Sequence, residues 1–340
     1  MLQIAVIGVG AMGCMFAAHL SPFAAVSMFG HWPEQMSALR EGLTLITVDG
    51  EHRFVKVNAV ARINEIAPVD IALVLVKSYQ TEAAARDVAQ VAREDGFALT
   101  LQNGVGNAAT LATVLGADRV ISASTTEGAT LVEPGVVRHA GRGKIFLPET
   151  HGQRYHLLLD FTDVLRQAGF TVTLAGNMHE IVWEKVAVNA AINPLTALIE
   201  APNGFLLESH AAGQIARHAA REAALVGRAL GYAIDADAVV RQVMAVAEST
   251  RLNLSSMLQD VIRGRPTEVD AITGVVIHGG TETAVPTPYN NALYTLLAEK
   301  RRGDTWTTGI ASLPDKLQPI FHRLELEGRH AKMPLDSRDS

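Results

Sequence analysis

The amino-acid sequence lacks cysteine pairs, long apolar runs and blocks of one charge, and each absence excludes a class of protein. Its 340 residues include one cysteine, Cys14, so the chain cannot form an internal disulfide and a reducing compartment is expected. No apolar run approaches the roughly 20 residues needed to span a bilayer. The net charge of −6 includes no long block of one sign, which argues against a nucleic-acid partner. We therefore expect a soluble, cytoplasmic protein that binds neither membrane nor nucleic acid.

Histidine and cysteine clusters are missing as well. The 12 histidines include no His-x₃-His pair and no Cys/His set of the zinc type, so we expect no metal site. What the chain does have is the composition of an ordinary globular enzyme, with 48% hydrophobic and 19% charged residues. Its length is typical of about two domains.

Short apolar runs alternate with helical patterns in the first half of the chain. Such alternation predicts a parallel sheet with helices on both faces. A Pro134-Gly135 turn inside 133–146 predicts a β-hairpin at the far edge of that sheet. The predicted strands are Gln3–Ile7, Ala25–Phe29, Ile71–Val76, Ala98–Leu101 and Val120–Ala123, and the helices between them include Ala11–Leu20 and Thr81–Arg93.

The pattern changes after about residue 175, where strand-like runs vanish. Long stretches rich in Ala, Leu, Glu and Arg follow, such as 214–230 and 236–247, and they predict helices. We therefore predict an α/β parallel-sheet domain over 1–175 and an all-α domain over 176–312. The polar segment 313–340 is expected to be a partly disordered tail.

Three glycines form the pattern G-V-G-A-M-G directly after the first predicted strand. Gly8 permits a tight turn, Gly10 lets the backbone approach a pyrophosphate, and Gly13 lets the helix pack close to the strand. The helix that begins at Ala11 and Met12 would direct its N–H groups at the phosphates. This strand–turn–helix context predicts a Rossmann-type dinucleotide site, and the alternative is a purely structural turn.

The end of the second strand bears on which nicotinamide cofactor is preferred. No acidic residue follows Phe29 until Glu34, so the carboxylate that usually binds the ribose of NAD is missing and NADPH is favoured over NADH. His31 could contact the 2′-phosphate, and Arg40 could reach it. The alternative is that His31 is a solvated loop residue.

Two further candidates follow the third and fourth predicted strands, at the edge where ligands bind in open α/β sheets. Lys77 could contact a phosphate or the nicotinamide end of the cofactor. Asn103 could bind the nicotinamide ribose or the substrate. The alternative for Asn103-Gly104 is a plain turn, which is a common use of that dipeptide.

A polar stripe runs along an otherwise apolar helical segment in the second half. Lys185, Asn189 and Asn193 are spaced four apart and share one helical face. Pro194 predicts a break or kink in that helix. Buried Lys and Asn need partners, which a substrate with a carbonyl, a carboxylate or a hydroxyl would supply. The alternative is a capping network between helices.

A second polar segment covers 253–268. Asn253 and Ser256 share a face if this segment is helical, and Ser255 or Ser256 could bind a carboxylate or hydroxyl. Alternatively, the serines cap a helix and Glu268 is a solvated acid.

Together these segments resemble the ketopantoate reductase (2-dehydropantoate 2-reductase) family, up to about Gly309. The family reduces ketopantoate to pantoate with NADPH, on the route to pantothenate and coenzyme A. The resemblance implies a Rossmann domain followed by a helical domain, with the active site in the cleft between them. The segments that carry it are GVGAMG, VKSYQ, LQNGVG, EKVAVNAAINPLTAL, APNG and NLSSMLQDVIRGRPTEVDAITG.

The resemblance also implies roles for single residues. Lys185 corresponds to the general acid, Glu268 to the acid that holds this lysine or a substrate hydroxyl, and Lys77 to a residue near the cofactor. His31 stands where the family often has arginine, which weakens the expectation of NADPH. The positions that correspond to substrate-binding residues are Asn103, Asn189, Asn193, Asn253 and Ser256.

Two other functions fit parts of the pattern. A related 2-keto acid reductase or hydroxy-acid dehydrogenase would keep Lys185 but act on a different small substrate. A non-catalytic dinucleotide-binding sensor would leave the Lys-Asn-Asn stripe unexplained. The residues leave open whether the protein forms a homodimer through its helical domain.

Overall fold

A computed structural model describes residues 1–149 and 154–301 of the chain. The chain divides into two compact units, of which the first is Met1–Val182 and the second begins at Trp183. The predicted boundary at 175/176 falls between the last strand and the long helix that follows it. The predicted tail over 313–340 lies outside the described residues.

Strands belong to the first unit, whereas helices occur in both. The strands are β1 (Gln3–Ile7), β2 (Ala25–Phe29), β3 (Leu43–Ile46), β4 (His52–Val55), β5 (Asn58–Val60), β6 (Val69–Val74), β7 (Ala92–Thr100), β8 (Val120–Ser122), β9 (Ser124–Thr125), β10 (Gly128–Glu133), β11 (Val136–Gly141), β12 (Ile145–Pro148) and β13 (Val172–Ala175). The helices of this unit are α1 (Ala11–Leu20), α2 (Pro33–Glu41), α3 (Thr81–Val91), α4 (Asn107–Leu115) and α5 (Tyr155–Gln167).

The main sheet of the first unit confirms the predicted α/β class. Six strands are paired in the order β5-β2-β1-β6-β7-β8, and every neighbouring pair is parallel. The chain builds outward from β1 on one side, then crosses to β6 on the other side, which is the Rossmann topology. The switch point between β1 and β6 lies beside the glycine pattern, where such folds bind ligands.

Both faces of this sheet are covered, because its strands are apolar on both sides. One core cluster contains α3 and α4 residues such as Ala85, Val88 and Leu111. The other contains Cys14, Met15 and Phe16 of α1 together with residues of α5 and the smaller sheets. The sheet therefore holds its carboxyl-end loops on a rigid layered core.

The predicted hairpin exists, but its place in the fold was predicted wrongly. It consists of β10 and β11, paired antiparallel around Pro134-Gly135, and it ends at Gly141. It belongs to a separate four-stranded sheet in the order β10-β11-β3-β4, whereas Phe146 lies in β12 of a third sheet. The hairpin joins β3 because Val136, Val137 and Arg138 pair with Thr44, Leu45 and Ile46.

The second unit is helical, as predicted, with no strand among its described residues. One helix of 22 residues runs from Met178 to Ile199 and contains Pro194 in its interior. Of the break or kink predicted at Pro194, the break is therefore wrong. Within residues 1–149 and 154–301, none of the helices is long and apolar enough to span a membrane. The helices are α6 (Met178–Ile199), α7 (Phe205–Glu208), α8 (His210–Ala229), α9 (Ala236–Ser249), α10 (Ser256–Ile262), α11 (Val275–Thr283) and α12 (Pro288–Arg301), with a π-helical turn at Asp270–Gly274.

Candidate active site

The glycine turn, residues 8–13 between β1 and α1, is packed so closely that two of its glycines leave no space for a side chain. Gly8 has φ +118°, and a Cβ there would lie 2.9 Å from the carbonyl carbon of Leu75. A Cβ on Gly13 would lie 1.9 Å from the carbonyl oxygen of Gly8. Both close approaches are those that a dinucleotide-binding turn requires.

Gly10 is different, because a Cβ at this position would meet no atom within 4 Å. Gly10 is the N-cap of α1, which begins with Ala11 and Met12 and has no side-chain cap. The N-terminus of this helix therefore adjoins open space, into which a side chain at position 10 would project. A pyrophosphate fits this arrangement, since helix N-termini bind anions through backbone N–H groups.

A buried side chain that the sequence analysis did not single out, Gln35, forms hydrogen bonds to the glycine turn and to Cys14 of α1. Gln35 of α2 is fully buried, and its Nε2 donates to the Val9 carbonyl at 3.1 Å and to Cys14 Sγ at 3.0 Å. Its Oε1 accepts the N–H of Gly135 from the β10–β11 turn at 3.0 Å. Burial raises the pKa of the Cys14 thiol to about 12, so this sulfur is a packing group and not a nucleophile.

The end of β2 presents an exposed histidine where an acidic residue would favour NAD. His31 packs edge-on against Phe29, with ring centroids 4.7 Å apart. Glu34 and Arg40 are exposed in the first and last turns of α2. The structure thus places an imidazole, and no carboxylate, in the residues that link β2 to α2.

Lys77 and Asn103 lie in neighbouring loops of the first unit. The strands before them stop earlier than predicted, β6 at Val74 and β7 at Thr100. Just after β6, the Leu75 N–H still donates to the Ile7 carbonyl at 2.8 Å, and the Leu75 carbonyl lies against Gly8. Lys77 precedes a 3₁₀ turn, and Asn103 precedes Gly104, whose φ is +86°.

In the second unit, Lys185, Asn189 and Asn193 form a polar line on α6, the α6 stripe. The residues between them are buried, and Asn193 itself is only 6% exposed. Lys185 keeps some accessible surface, yet dense packing around it lowers its pKa from 10.5 to about 8. The carboxylate of Glu268 opposes this shift and raises the pKa of Lys185.

Glu268 is not the solvated acid of the alternative reading. It is 5% exposed, and it lies two residues before the π-helical turn Asp270–Gly274. Its carbonyl accepts the N–H of Ile272 at 3.1 Å. Single π-helical turns are frequent at functional sites, and Glu268, which precedes this one, interacts electrostatically with Lys185 of α6.

Asn253 and Ser256 do not share a helical face, because the condition for this, a helix that covers both residues, is not met. Asn253 is exposed in the loop before α10, and Ser256 is the first residue of that helix. The helix begins there because Ser255 is its N-cap, accepting the N–H of Leu258 at 3.2 Å. Ser255 also lies 2.7 Å from Thr196 Oγ1 of α6, so it has a structural role.

Asn203, in the APNG segment, was not singled out from the sequence as a site residue. Its Nδ2 donates to Thr250 Oγ1 at 2.9 Å, and its backbone N–H donates to the Asn253 carbonyl at 3.0 Å. Its Oδ1 is buried and has no hydrogen-bond partner among the described residues. The APNG turn therefore forms hydrogen bonds that fix the Asn253 loop. Because APNG is one of the segments that resemble the family, the sequence did offer a reason to examine Asn203.

Metal ligation finds no support in the part of the chain that the structure describes. Across residues 1–149 and 154–301, no group of three or more His, Cys, Asp or Glu side chains is placed to hold an ion. Among the site residues predicted from the sequence, the ionisable groups that interact in the structure are Lys185 and Glu268 of the second unit.

Comparisons with known proteins agree with this picture. Family models described as "Ketopantoate reductase PanE/ApbA" and "Ketopantoate reductase PanE/ApbA C terminal" match residues 4–152 and 177–301. The 2-dehydropantoate 2-reductase of Halobacterium salinarum is 34% identical over 303 residues, which are 88% of this chain and 99% of the relative.

Solved structures show the same likeness over the same share of the chain. A PanE/ApbA family ketopantoate reductase from Ralstonia eutropha JMP134 has a TM-score of 0.80 at 29% identity, covering 88% of this chain and 100% of that one. D-Mandelate dehydrogenase in its ternary structure with NADH and anilino(oxo)acetate has a TM-score of 0.83 at 25% identity, covering 88% and 99%. The chain belongs to the ketopantoate reductase family.

Proposed function

We propose that this protein reduces 2-dehydropantoate (ketopantoate) to pantoate with NADPH, in the biosynthesis of pantothenate and coenzyme A, and that Lys185 is the general acid. The observation that carries the proposal is a lysine of lowered pKa coupled to a buried glutamate on the polar stripe of an apolar helix. Ionisable groups with shifted pKa values cluster at functional sites. Two relatives that are 34% identical to this chain are 2-dehydropantoate 2-reductases, and this supports 2-dehydropantoate as the proposed substrate.

The first unit would hold the cofactor. The glycine turn and the N-terminus of α1 would bind the pyrophosphate, and Lys77 and Asn103 would contact the dinucleotide from the loops after β6 and β7. His31, next to the end of β2, would contact the 2′-phosphate of NADPH. The bound nicotinamide supplies the hydride.

Lys185 would then handle the charge and the proton. As the carbonyl carbon accepts hydride, negative charge develops on the ketone oxygen, and the Lys185 ammonium stabilises it and donates a proton to it. A pKa of about 8 keeps most of the lysine protonated near neutral pH while making the proton easier to transfer than from an ordinary lysine. Glu268 raises that pKa and so keeps the acid form populated.

The asparagines of the α6 stripe would orient the substrate. Amide groups of Asn189 and Asn193 can donate to the carboxylate and accept from the hydroxyl of 2-dehydropantoate. Asn253 and Ser256 are exposed at the start of α10, where they remain available to a ligand. Their proposed role in substrate binding requires no shared helical face.

A second substrate class is favoured by one observation. The D-mandelate dehydrogenase structure, which contains NADH, is similar to this chain over 88% of its length. A reductase of another small 2-keto acid, using NADH, would therefore have the same fold and could keep Lys185 as its acid.

One assay separates the two. The purified full-length protein is given 2-dehydropantoate, 2-oxoisovalerate or phenylglyoxylate, each with NADPH or NADH, and nicotinamide absorbance is followed. We expect the highest kcat/KM with 2-dehydropantoate and NADPH. Preferred turnover of phenylglyoxylate, or preference for NADH, would replace our proposal by the second function. Cofactor binding without turnover of any substrate would instead favour a dinucleotide sensor.

A further inference from the structure

One hydrogen-bond network in the first unit has no role in the function proposed so far. It connects the loop after β6, which carries Lys77, to the loop after β7, which carries Asn103. Its centre is Gln102, the residue directly before Asn103. The network contains backbone carbonyls of both loops, the Gln102 side chain and side chains of the helices that follow the loops.

The side-chain amide of Gln102 uses all of its hydrogen-bonding groups within this network. Its Nε2 donates to the Val76 carbonyl and to Thr81 Oγ1, both at 2.9 Å. Its Oε1 accepts from Thr100 Oγ1 at 2.9 Å. Val76 is the residue directly before Lys77, so one amide group holds the backbone beside both candidate residues.

The network then closes on Asn103 through a second path. Thr81 Oγ1 lies 3.0 Å from Asn107 Oδ1, and Asn107 Nδ2 donates to the Asn103 carbonyl at 2.9 Å. Thr81 and Asn107 are 2% and 7% exposed, so water competes poorly for these bonds. A change at Gln102 would therefore be felt in both loops.

We propose that Gln102 is a positioning residue that couples the Lys77 loop to the Asn103 loop, so that both meet the dinucleotide in one fixed arrangement. This inference rests on the proposed roles of Lys77 and Asn103 at the cofactor. Preorganised side chains lose less freedom on binding, so the coupling should be visible in cofactor affinity.

The test uses two isosteric changes and their matched controls. Gln102→Glu replaces the donating amide by a carboxylate that faces two acceptors, Val76 O and Thr81 Oγ1. Thr81→Val removes the shared hydroxyl, whereas Thr81→Ser keeps it. Gln90→Glu, at an exposed position on α3, makes the same chemical change as Gln102→Glu outside the network.

Cofactor affinity is measured by nicotinamide fluorescence on the full-length protein, well below its unfolding temperature. We expect Gln102→Glu and Thr81→Val to raise the Kd for NADPH about tenfold, the effect of one lost net hydrogen bond. Thr81→Ser and Gln90→Glu should stay within about twofold of the unchanged protein. If Gln102→Glu lowers the unfolding temperature while the Kd stays unchanged, Gln102 only stabilises the fold and the inference is wrong.

Hydrogen exchange separates this inference from the proposed function. Without any ligand, Gln102→Glu should speed amide exchange in 75–81 as well as in 101–107, because it releases both loops. Faster exchange confined to 101–107 would contradict the coupling. If the unchanged protein reduces no keto acid, the proposed function fails, but the exchange result still decides whether Gln102 couples the loops.

Discussion

The glycine turn and the α6 stripe differ in the structural feature that makes each a candidate site. The glycine turn is marked by missing side chains, because Gly8 and Gly13 leave no room for a Cβ and Gly10 has open space beside it. The α6 stripe is marked by polar side chains in a largely buried helix, and burial lowers the pKa of Lys185. The first region is specified by backbone geometry and the second by electrostatics, so they should respond to substitution in different ways.

The largest effect is expected at the α6 stripe. Lys185→Met keeps the volume and the apolar packing but removes the proton donor, so kcat for keto-acid reduction should fall by about 10² to 10⁴. The Kd for NADPH should change little, because the change is in the helical unit. Lys56→Met, at an exposed lysine of the first unit, is the control. A Lys185→Met protein with nearly full kcat would remove the general acid from the mechanism.

The glycine turn offers a matched pair that separates packing from binding. Gly13→Ala places a methyl group 1.9 Å from the Gly8 carbonyl oxygen, so α1 must move away from β1. We expect a loss of about 1 to 3 kcal/mol in the free energy of unfolding, the usual cost of overpacking. Gly10→Ala meets no atom within 4 Å and should unfold like the unchanged protein.

In the binding assay, Gly10→Ala should have the larger effect of the two variants. A methyl group on Gly10 occupies the space that the pyrophosphate needs, so Gly10→Ala should raise the Kd for NADPH about tenfold or more while stability is kept. Urea unfolding and nicotinamide fluorescence on the two variants measure both quantities. If Gly10→Ala binds NADPH normally, the phosphates lie elsewhere.

Gln35 tests whether the glycine turn depends on any side chain at all. Gln35→Leu leaves the Val9 carbonyl and the Gly135 N–H without their buried partner. The free energy of unfolding should fall by about 1 to 3 kcal/mol, the cost of buried polar groups left unsatisfied. Gln90→Leu, on the exposed side of α3, should lose much less. Equal losses in the two variants would mean that the turn is maintained by its own backbone.

The smallest expected effect is a shift in pH dependence. Lys185 acts as an acid only while protonated, so kcat/KM for reduction should fall as the pH rises through about 8. Glu268→Gln removes the charge that raises this pKa, so the fall should begin at lower pH. Above the pKa, each unit of lowering reduces the protonated fraction about tenfold. Glu282→Gln, in an exposed pair with His278, is the control, and identical profiles would uncouple Glu268 from Lys185.

Local sequence patterns were sufficient for much of the first unit. The strands β1 and β2 and the helix α1 have the predicted bounds, because their apolar periodicity and glycine spacing act over a few residues. The sheet in which the β10–β11 hairpin lies was predicted wrongly, since its pairing with β3 involves residues far apart in the chain. The helix α6 continues past Pro194, although proline inside a helix usually breaks or kinks it. Burial of Leu195, Ala197 and Leu198 stabilises the last turns of this helix.

The candidate site divides in the same way. The sequence by itself determined the glycine turn and the spacing of Lys185, Asn189 and Asn193 on one face, because each depends on neighbours within one or two turns. Only the tertiary structure decided that Glu268 is buried and raises the pKa of Lys185, and that Gln35 and Gln102 hydrogen-bond to residues distant in the chain. These contacts join residues distant in sequence, and burial and hydrogen bonding between such residues depend on how the elements pack.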